Sequence, residues 1–446
     1  MRWNDRLFAA FWLTCLLFTA WLTPPLMAPD EPMHLMRADQ ISRGGLVGAI
    51  SEGGASGVVD GAIAPFFKIF RDYENAGAPP VPKEAYEAAR KIRWRGEPWA
   101  ADFRNTAQYG PLPYLPQAIG LGLGRLFGLS LLDSYYLARG LEMAAALALG
   151  ALALRLSPWI RPLGRIVLLL PMSLFLTVSV SQDGMLIALG LLVAAIAGRA
   201  IERGEEPEPA LYAVAALAVA TLAMARLPYA TLALLFLLKP MRGRMAAAAF
   251  ALVVLAAGMW LWATADLHAA ASYPVPGKDI DAHRQLAWLL QDPSRAWDLA
   301  TDTLGDDQFS TFYLRSTIGN LGWLTLLLPL WAYDWALLAL GGGWLAACFG
   351  ARHLRPLDML MAWLAMGLAV GGIFLGLYLT WSEVGAGRIE GVQGRYFLPL
   401  LGFLPMLLPA WPVWRGRVTL VLGGVAVLAA LPQLYATFQT LEAAYR

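Results

Sequence analysis

Long apolar runs recur along the chain, and they constrain its fold more than any other feature of the sequence. A helix needs about 20 mostly apolar residues to cross the hydrocarbon core of a bilayer. On that rule the sequence predicts eleven membrane-spanning helices, near residues 7–27, 136–156, 166–181, 184–201, 210–225, 229–238, 245–265, 321–350, 359–380, 396–413 and 418–437. Only 15% of the residues are charged, which excludes a soluble globular domain. We therefore predict an all-α polytopic membrane protein, with a single membrane domain over residues 1–437 and a C-terminal tail over 438–446.

Charge and cysteine content exclude several other classes of protein. The formal net charge of +2 is too balanced for a protein that neutralises a nucleic-acid backbone, so we expect no nucleic-acid partner. The two cysteines, Cys15 and Cys348, lie far apart in apolar runs and form neither a disulfide framework nor a thiolate metal pattern. What matters in this chain is therefore where its charges lie.

The distribution of basic residues predicts the topology. Residues 111–130 carry three prolines, four glycines and Arg125, and could either cross the membrane or lie along its surface. If they do not cross, fourteen basic residues fall on the cytoplasmic side and only three, Arg226, Arg388 and Arg395, on the short outer connections. We therefore expect a cytoplasmic N-terminus, a retained first span, an interfacial helix within 111–130, and two large outer segments over 28–135 and 266–320. The glycine-rich residues 44–61 suggest a mobile loop in the first outer segment.

Polar side chains gather at the expected outer ends of spans that are distant in sequence. A carboxylate pair and two arginines at one membrane depth can bind and activate a lipid phosphate ester. Carboxylates are common general bases, and a guanidinium grips a phosphate through two parallel donors. The candidate site residues at this depth are Asp30, Glu31, His34, Asp183, Arg226, Gln393, Arg395 and Tyr396.

These residues also have structural interpretations. The three carboxylates lie where helices are expected to begin, so they would suit helix caps. The two arginines would suit contacts with any phospholipid headgroup. His34 would suit a hydrogen-bonding partner, and Arg139 and Glu142, three residues apart in a span, are expected to pair with each other. Few other ionisable residues lie within the spans, which argues against an ion-coupled carrier.

Several strings resemble those of one bacterial family. They are 29–34 (PDEPMH), 109–114 (YGPLPY), 318–323 (IGNLGW) and 392–399 (VQGRYFLP). Over residues 1–432 the chain resembles an uncharacterised family of predicted polytopic membrane proteins, described as a domain of unknown function and grouped with the GT-C glycosyltransferases. The resemblance implies a GT-C-like helix bundle, acidic positions in the first two outer loops, and a sugar donor carried on a polyprenyl phosphate. Asp30 and Glu31 match the first acidic position and Asp183 the second, whereas Arg226 stands where the family pattern implies a lysine.

Together these observations predict a membrane glycosyltransferase at the outer face of the bacterial inner membrane. It would move a sugar from a polyprenyl-phosphate donor to an envelope glycan or protein. Asp30, with Glu31 as the alternate, would be the general base, and Asp183 with His34 would form a second acidic site for the acceptor. The donor phosphate would be bound by Arg226, Arg395, Gln393 and Tyr396.

Two questions stay open at this stage. Asp183 could complete a divalent metal site with Asp30, for which Mg²⁺ or Mn²⁺ would be the suitable ions. The chain could alternatively be a lipid-linked sugar flippase or a non-catalytic envelope assembly protein. Either would use the same arginines for binding without catalysing a reaction.

The charge asymmetry makes the topology testable. We expect Arg161 and Arg242 to be cytoplasmic and Lys83 and Lys278 to face outward. Single cysteines at these positions should be labelled by a membrane-impermeant maleimide in intact cells only at 83 and 278. Labelling of position 161 from outside would contradict the eleven-span topology.

Overall fold

The computed structural model describes residues 3–51, 54–270, 278–350, 354–409 and 417–446 of the chain. Helices account for 74% of the residues, which confirms the prediction of a helical membrane protein. Arg2, Arg352 and Arg415, which contribute to the charge asymmetry, lie outside the described residues, as does the end of the expected span 396–413.

The helices and strands follow one another in chain order. The α-helices are α1 (Trp3–Leu22), α2 (Glu31–Ser42), α3 (Ile63–Phe70), α4 (Lys83–Lys91), α5 (Arg104–Ala107), α6 (Leu115–Leu126), α7 (Leu131–Leu156), α8 (Arg161–Leu169), α9 (Pro171–Thr177), α10 (Asp183–Arg203), α11 (Pro209–Ala225), α12 (Arg244–Ala263), α13 (Ala265–Ala270), α14 (Ala282–Gln291), α15 (Ser294–Gly305), α16 (Asp307–Ile318), α17 (Leu330–Gly350), α18 (Pro356–Thr380) and α19 (Arg417–Tyr445). The 3₁₀ helices are Arg71–Tyr73, Leu112–Tyr114, Leu227–Leu237, Lys239–Met241 and Gly394–Leu407. The strands are β1 (Ala49–Ser51), β2 (Gly54–Asp60), β3 (Pro98–Asp102), β4 (Asn320–Leu321) and β5 (Leu326–Leu327).

Seven helices of the described residues are long and apolar enough to cross a membrane, and they coincide with seven of the eleven expected spans. They are α1, α7, α10, α12, α17, α18 and α19. The expected span 166–181 is interrupted before Pro171, where α8 ends and α9 begins, and 210–225 is the shorter helix α11. The expected spans 229–238 and 396–413 contain 3₁₀ helices. Because a 3₁₀ helix rises about 2.0 Å per residue, such a segment is longer than an α-helix with the same number of residues. The count of eleven spans stays a prediction.

Helix α10 lies at the centre of the bundle. Its apolar window is 94% buried, whereas the windows of the other six helices are 22% to 44% buried. A Cβ added at Gly190 on this helix would lie 2.1 Å from the carbonyl oxygen of Pro399, so the glycine permits close contact with the helix Gly394–Leu407. Asp183 begins α10 and Arg395 lies in the first turn of the other helix. Their close packing therefore brings these two residues together.

The first outer segment contains a small sheet where the glycine-rich residues had suggested a mobile loop. Strands β1, β2 and β3 pair antiparallel in that order. Glycine is needed here for packing, because a Cβ at Gly57 would lie within 2.7 Å of side-chain atoms of Gln40 and Phe103. The prediction of a mobile loop was therefore wrong for this part of the segment. Gly57 instead allows strand β2 to pack closely against α2.

The stretch 111–130 contains the short helix α6, and the expectation that it does not cross the membrane stays a prediction. Its 12 residues extend only about 18 Å, less than the hydrocarbon thickness. It packs along α7, where a Cβ at Gly120 would lie 2.4 Å from the backbone of Ala138. Helix α6 is thereby held against α7 beside the start of α2.

The expected pairing of Arg139 with Glu142 was wrong. Arg139 donates to the carbonyl oxygens of Ala20, Thr23 and Pro24 at 2.9 to 3.2 Å, which lie at the end of α1. Glu142 instead accepts a hydrogen bond of 2.8 Å from the side chain of Gln117 on α6. The carbonyl oxygens at the end of a helix lack partners within the helix, so Arg139 bonds to them instead of to Glu142. Glu142 in turn bonds to the buried side-chain amide of Gln117.

Candidate functional site

Four charged side chains from four separate segments meet in one cluster. Asp30 precedes α2, Asp183 begins α10, Arg226 follows α11, and Arg395 lies in the helix Gly394–Leu407. Arg395 donates to Oδ2 of Asp30 at 2.5 Å and to Oδ2 of Asp183 at 3.2 Å. Both terminal nitrogens of Arg226 donate to Oδ1 of Asp183 at 3.1 Å. We call this sequence of ion pairs, Asp30–Arg395–Asp183–Arg226, the charge chain.

The members of the charge chain differ in their access to solvent. The side chains of Arg395 and Asp183 are 1% and 3% exposed, and that of Arg226 is 10% exposed. The side chain of Asp30 is 27% exposed. Asp30 is therefore the carboxylate of the charge chain that a bound molecule can reach.

Asp30 does not cap α2 with its side chain, although it stands at the N-terminal cap position. Its φ of 59° lies in the left-handed region, which is uncommon for residues other than glycine and turns the side chain away from the helix end. The carboxylate instead accepts hydrogen bonds from Arg395 and, at 3.2 Å, from the side chain of Asn105. The capping interpretation of Asp30 was wrong.

The electrostatic surroundings keep Asp30 ionised. Burial by itself would raise its pKa, but the charge of Arg395 and the hydrogen bonds from Arg395 and Asn105 lower the pKa below the usual value. Asp30 in this arrangement is a charged but weak base. Anything that drew Arg395 away would raise the pKa of Asp30 and make the carboxylate more basic.

Glu31 has a different environment from its neighbour. Its side chain is fully buried, and Oε2 accepts from the backbone N–H of Ala28 at 3.0 Å. Oε1 accepts from the hydroxyl of Tyr135 at 2.5 Å and from the backbone N–H of Val180 at 2.7 Å. Tyr135 in turn accepts from Arg139 at 2.7 Å. Glu31 thus ties the start of α2 to α7 and to the segment that leads into α10.

His34 lies one turn into α2 and is buried. Its Nδ1 is 2.6 Å from the hydroxyl of Tyr114, and its ring stacks on Tyr109 with centroids 6.3 Å apart. Burial lowers the pKa of His34 to about 4, against the opposing charges of Asp183 and Asp30. His34 is therefore neutral at physiological pH, and the charge chain carries two negative and two positive groups.

Aromatic side chains surround the guanidinium groups. The ring centroid of Tyr396 lies 4.3 Å from Cζ of Arg226 and 5.4 Å from Cζ of Arg395. The hydroxyl of Tyr229 donates to the backbone carbonyl of Tyr396 at 2.6 Å and fixes its position. Such contacts orient the cations without consuming their N–H donors.

Several buried polar atoms beside the charge chain have no hydrogen-bond partner among the described residues. They are Nε of Arg395, Oε1 of Gln393, and both polar atoms of Gln182. Buried polar groups are normally satisfied by protein, water or ligand. These atoms leave donors and acceptors free for a polar ligand at the site.

The structure brings six of the eight residues that the sequence had singled out to one place, whereas Glu31 bonds away from the cluster and Gln393 is near it only through its neighbour Arg395. Asp30, Asp183, Arg226 and Arg395 form the charge chain, Tyr396 covers it, and Gln393 adjoins Arg395. His34 and Glu31 support it from α2. Sequence reasoning missed Asn105, for which no local signal exists, and left Tyr109 and Tyr114 unassigned within the string 109–114.

The donor set does not fit the divalent metal considered from the sequence. Among the described residues, no group of three or more His, Cys, Asp or Glu side chains is arranged to hold a metal ion. Asp30 and Asp183 are each bonded to Arg395, which occupies the position between them.

Comparison with known proteins identifies one family. A family model described as "Predicted membrane protein (DUF2142)" matches residues 13–404. The matched region contains the whole charge chain and ends before α19. No curated protein matches the chain.

The neutral state of His34 predicts a pH dependence of stability. Its pKa of about 4 in the folded protein lies below the ordinary 6.5 of the unfolded chain. Between these values the unfolded chain binds a proton that the folded protein does not, so the free energy of unfolding falls as the pH decreases from 6.5 to 4. Thermal unfolding of the purified protein should show this decrease, and His34→Gln should make it smaller.

His283→Gln is the matched control, because His283 is exposed at the start of α14. It should leave the pH dependence of the unfolding temperature as in the wild type. An unchanged pH dependence in His34→Gln would contradict a buried neutral imidazole.

Proposed function

The chain belongs to the family of predicted membrane proteins designated DUF2142, and from that premise we propose that it is a GT-C-type membrane glycosyltransferase. It moves a sugar from a polyprenyl-phosphate donor to an envelope glycan or protein at the outer face of the bacterial inner membrane. The observation that carries this proposal is the charge chain, in which two arginines and an accessible carboxylate from distant loops adjoin unsatisfied polar groups. A purely structural ion pair would not need an exposed carboxylate or unpartnered donors beside it.

The proposed reaction is a single displacement at the anomeric carbon. The acceptor hydroxyl oxygen forms a bond to that carbon while the bond from the carbon to the phosphate oxygen breaks. The hydroxyl proton passes to Asp30, and the bonding electron pair leaves with the polyprenyl phosphate. Asp30 is the general base because it is the more accessible of the two carboxylates in the charge chain.

Arg395 and Arg226 bind the leaving phosphate in this proposal. Each guanidinium presents parallel donors that match phosphate oxygens. Both arginines are already bonded to aspartates, so the phosphate must replace part of this bonding. Gln393 and the free Nε of Arg395 supply further hydrogen bonds, and Tyr396 keeps the two cations in place.

This exchange of partners couples donor binding to activation of the base. As the phosphate draws Arg395 away, Asp30 loses the interaction that lowers its pKa. The carboxylate becomes a better proton acceptor only when the donor is bound. Before the donor binds, Asp30 is therefore too weak a base to activate water efficiently.

The remaining predicted site residues receive supporting roles. Asp183, with its side chain 3% exposed and bonded to both arginines, orients the guanidiniums rather than touching the acceptor. Glu31, fully buried, positions the start of α2 and so the backbone of Asp30. His34 supports α2 as a neutral group bonded to Tyr114.

The first functional prediction separates Asp30 from its neighbour. Asp30→Asn should reduce transfer by about 10²- to 10⁴-fold, because an amide cannot accept the proton. Glu31→Gln should act mainly by lowering the amount or thermal stability of the protein. Envelope glycans from a deletion strain complemented with each variant, compared by mass spectrometry, would show the missing modification.

Glu87→Gln is the control for this experiment, since Glu87 is exposed on α4 in a surface ion pair. Full modification by Asp30→Asn would contradict the role of general base. If Asp30→Asn also moved a lipid-linked sugar across proteoliposome membranes at the wild-type rate, a flippase would be the better interpretation.

The second functional prediction concerns the donor phosphate. Arg395→Lys should weaken binding of a polyprenyl-phosphate sugar by about tenfold or more, because an ammonium cannot bridge two partners and a phosphate as a planar guanidinium does. Binding can be measured with the purified protein in nanodiscs. Arg284→Lys is the control, since Arg284 is exposed on α14 and its guanidinium pairs with Asp279. Equal affinity of the two variants would remove Arg395 from the donor site.

A further inference from the structure

One motif of the sequence, 318–323, is not used by the charge chain. Most of the residues in this motif have a structural role. A Cβ at Gly319 would lie 2.7 Å from Pro171, and Gly322 has a φ of 59°, in the left-handed region. The indole N–H of Trp323 donates to the carbonyl of Leu26 at 3.2 Å.

Asn320 is the member of this motif without such a reason. The residue is 3% exposed, and its side-chain oxygen has no hydrogen-bond partner among the described residues. Asn320 lines a cavity of about 540 Å³ between α16 and the β4–β5 hairpin. A buried, unsatisfied acceptor in a cavity wall is suited to a polar ligand.

This cavity continues into a larger one along α16. The residues Asp307, Gln308, Thr311, Phe312 and Arg315 recur at helical spacing and line the smaller cavity from one face of α16. Asp307 and Gln308 also line a cavity of about 970 Å³, which lies between α15, α16 and residues 386–390. We call the two connected cavities the α16 groove. It follows a helix about 18 Å long and is therefore elongated.

The chemistry of the α16 groove matches a hydroxyl-rich molecule. Its walls offer carboxylates, amides, threonine hydroxyls and guanidiniums, together with the apolar side chains of Phe312, Leu324 and Leu327. A sugar hydroxyl both donates and accepts, so it needs acceptors and donors in one cavity, and the larger cavity offers Asp302 and Arg388. Acidic side chains outnumber basic ones in these walls, which disfavours a polyanionic chain.

We propose that the α16 groove binds the terminal units of an elongated, uncharged oligosaccharide, which identifies the acceptor as a glycan rather than a protein. The identification of this glycan as the acceptor rests on the proposed glycosyl transfer. Binding of the glycan in the groove does not depend on that proposal. The oxygen of Asn320 accepts a hydroxyl hydrogen, and Asp307 and Gln308 bind units further along the groove.

The end of α16 leads from the groove to the charge chain. The backbone N–H of Gly394 donates to the hydroxyl of Ser316 at 2.8 Å, and the hydroxyl of Thr317 donates to the carbonyl of Gly394 at 3.2 Å. A Cβ at Gly394 would lie 2.1 Å from the backbone nitrogen of Thr317. The next residue is Arg395, which is bonded to Asp30. The C-terminal end of α16, beside the groove, is therefore in contact with the residue that precedes Arg395.

The test measures binding by the purified full-length protein in nanodiscs, without any sugar donor. The probes are maltohexaose and chitohexaose as uncharged chains, hexagalacturonate as a polyanion, and hexalysine as a cationic peptide. We expect at least one uncharged hexasaccharide to bind more tightly than the other two probes. Asn320→Ala and, on the exposed surface, Asp307→Asn should each weaken this binding by about tenfold.

Asp298→Asn is the matched control, because Asp298 lies on α15, outside the groove lining, and is exposed. It should bind as the wild type does. Wild-type affinity in both groove variants, or tightest binding of hexalysine, would overturn the proposal. Since no donor is present, a failure of glycosyl transfer would leave a positive result standing. If the protein catalyses glycosyl transfer but binds no glycan probe, the glycan site in the groove is wrong, and the acceptor is a protein.

Discussion

The buried guanidinium of Arg395 is the interaction on which the site depends. Its side chain is 1% exposed, and removing an unpaired charge from water to this extent would be very costly. Asp30 and Asp183 supply two carboxylates, and the carbonyl of Pro29 accepts a further hydrogen bond at 3.0 Å. These partners come from loops more than two hundred residues away in sequence. The three segments can satisfy their buried charges only together, so the site forms as a unit.

Two further networks hold these segments where Arg395 needs them. Glu31 connects the start of α2 to Tyr135 on α7 and to Val180 before α10. On the other side, α16 holds Gly394 through two hydroxyl groups, directly before Arg395. The left-handed backbone of Asp30 is maintained between these supports. Strain of this kind persists where the surroundings over-determine a conformation, and it commonly marks functional positions.

The balance of two positive and two negative charges has a consequence for ligand binding. A preformed pair of free arginines would attract any anion, including the headgroups of the surrounding lipids. Here each arginine already has an aspartate partner, so an anion must offer more than charge to displace it. Geometry and the additional unpartnered donors then decide which phosphate binds. In the proposed transferase, this balance makes the site selective among phosphates.

Local sequence patterns predicted the membrane class and, among eleven expected spans, the seven long apolar helices, because hydrophobic periodicity is a property of neighbouring residues. They also singled out the four charged residues that meet in the charge chain. They did not predict which residue bonds to which. Arg139 bonds to the end of α1 instead of Glu142, Asn105 bonds to Asp30 without any local signal, and Gly54 and Gly57 lie in strand β2. Asp30 and Glu31, adjacent and chemically alike, differ completely in exposure and hydrogen bonding. That difference was decided only by tertiary structure, because the partners of a buried charge are chosen among segments that packing brings together from hundreds of residues apart.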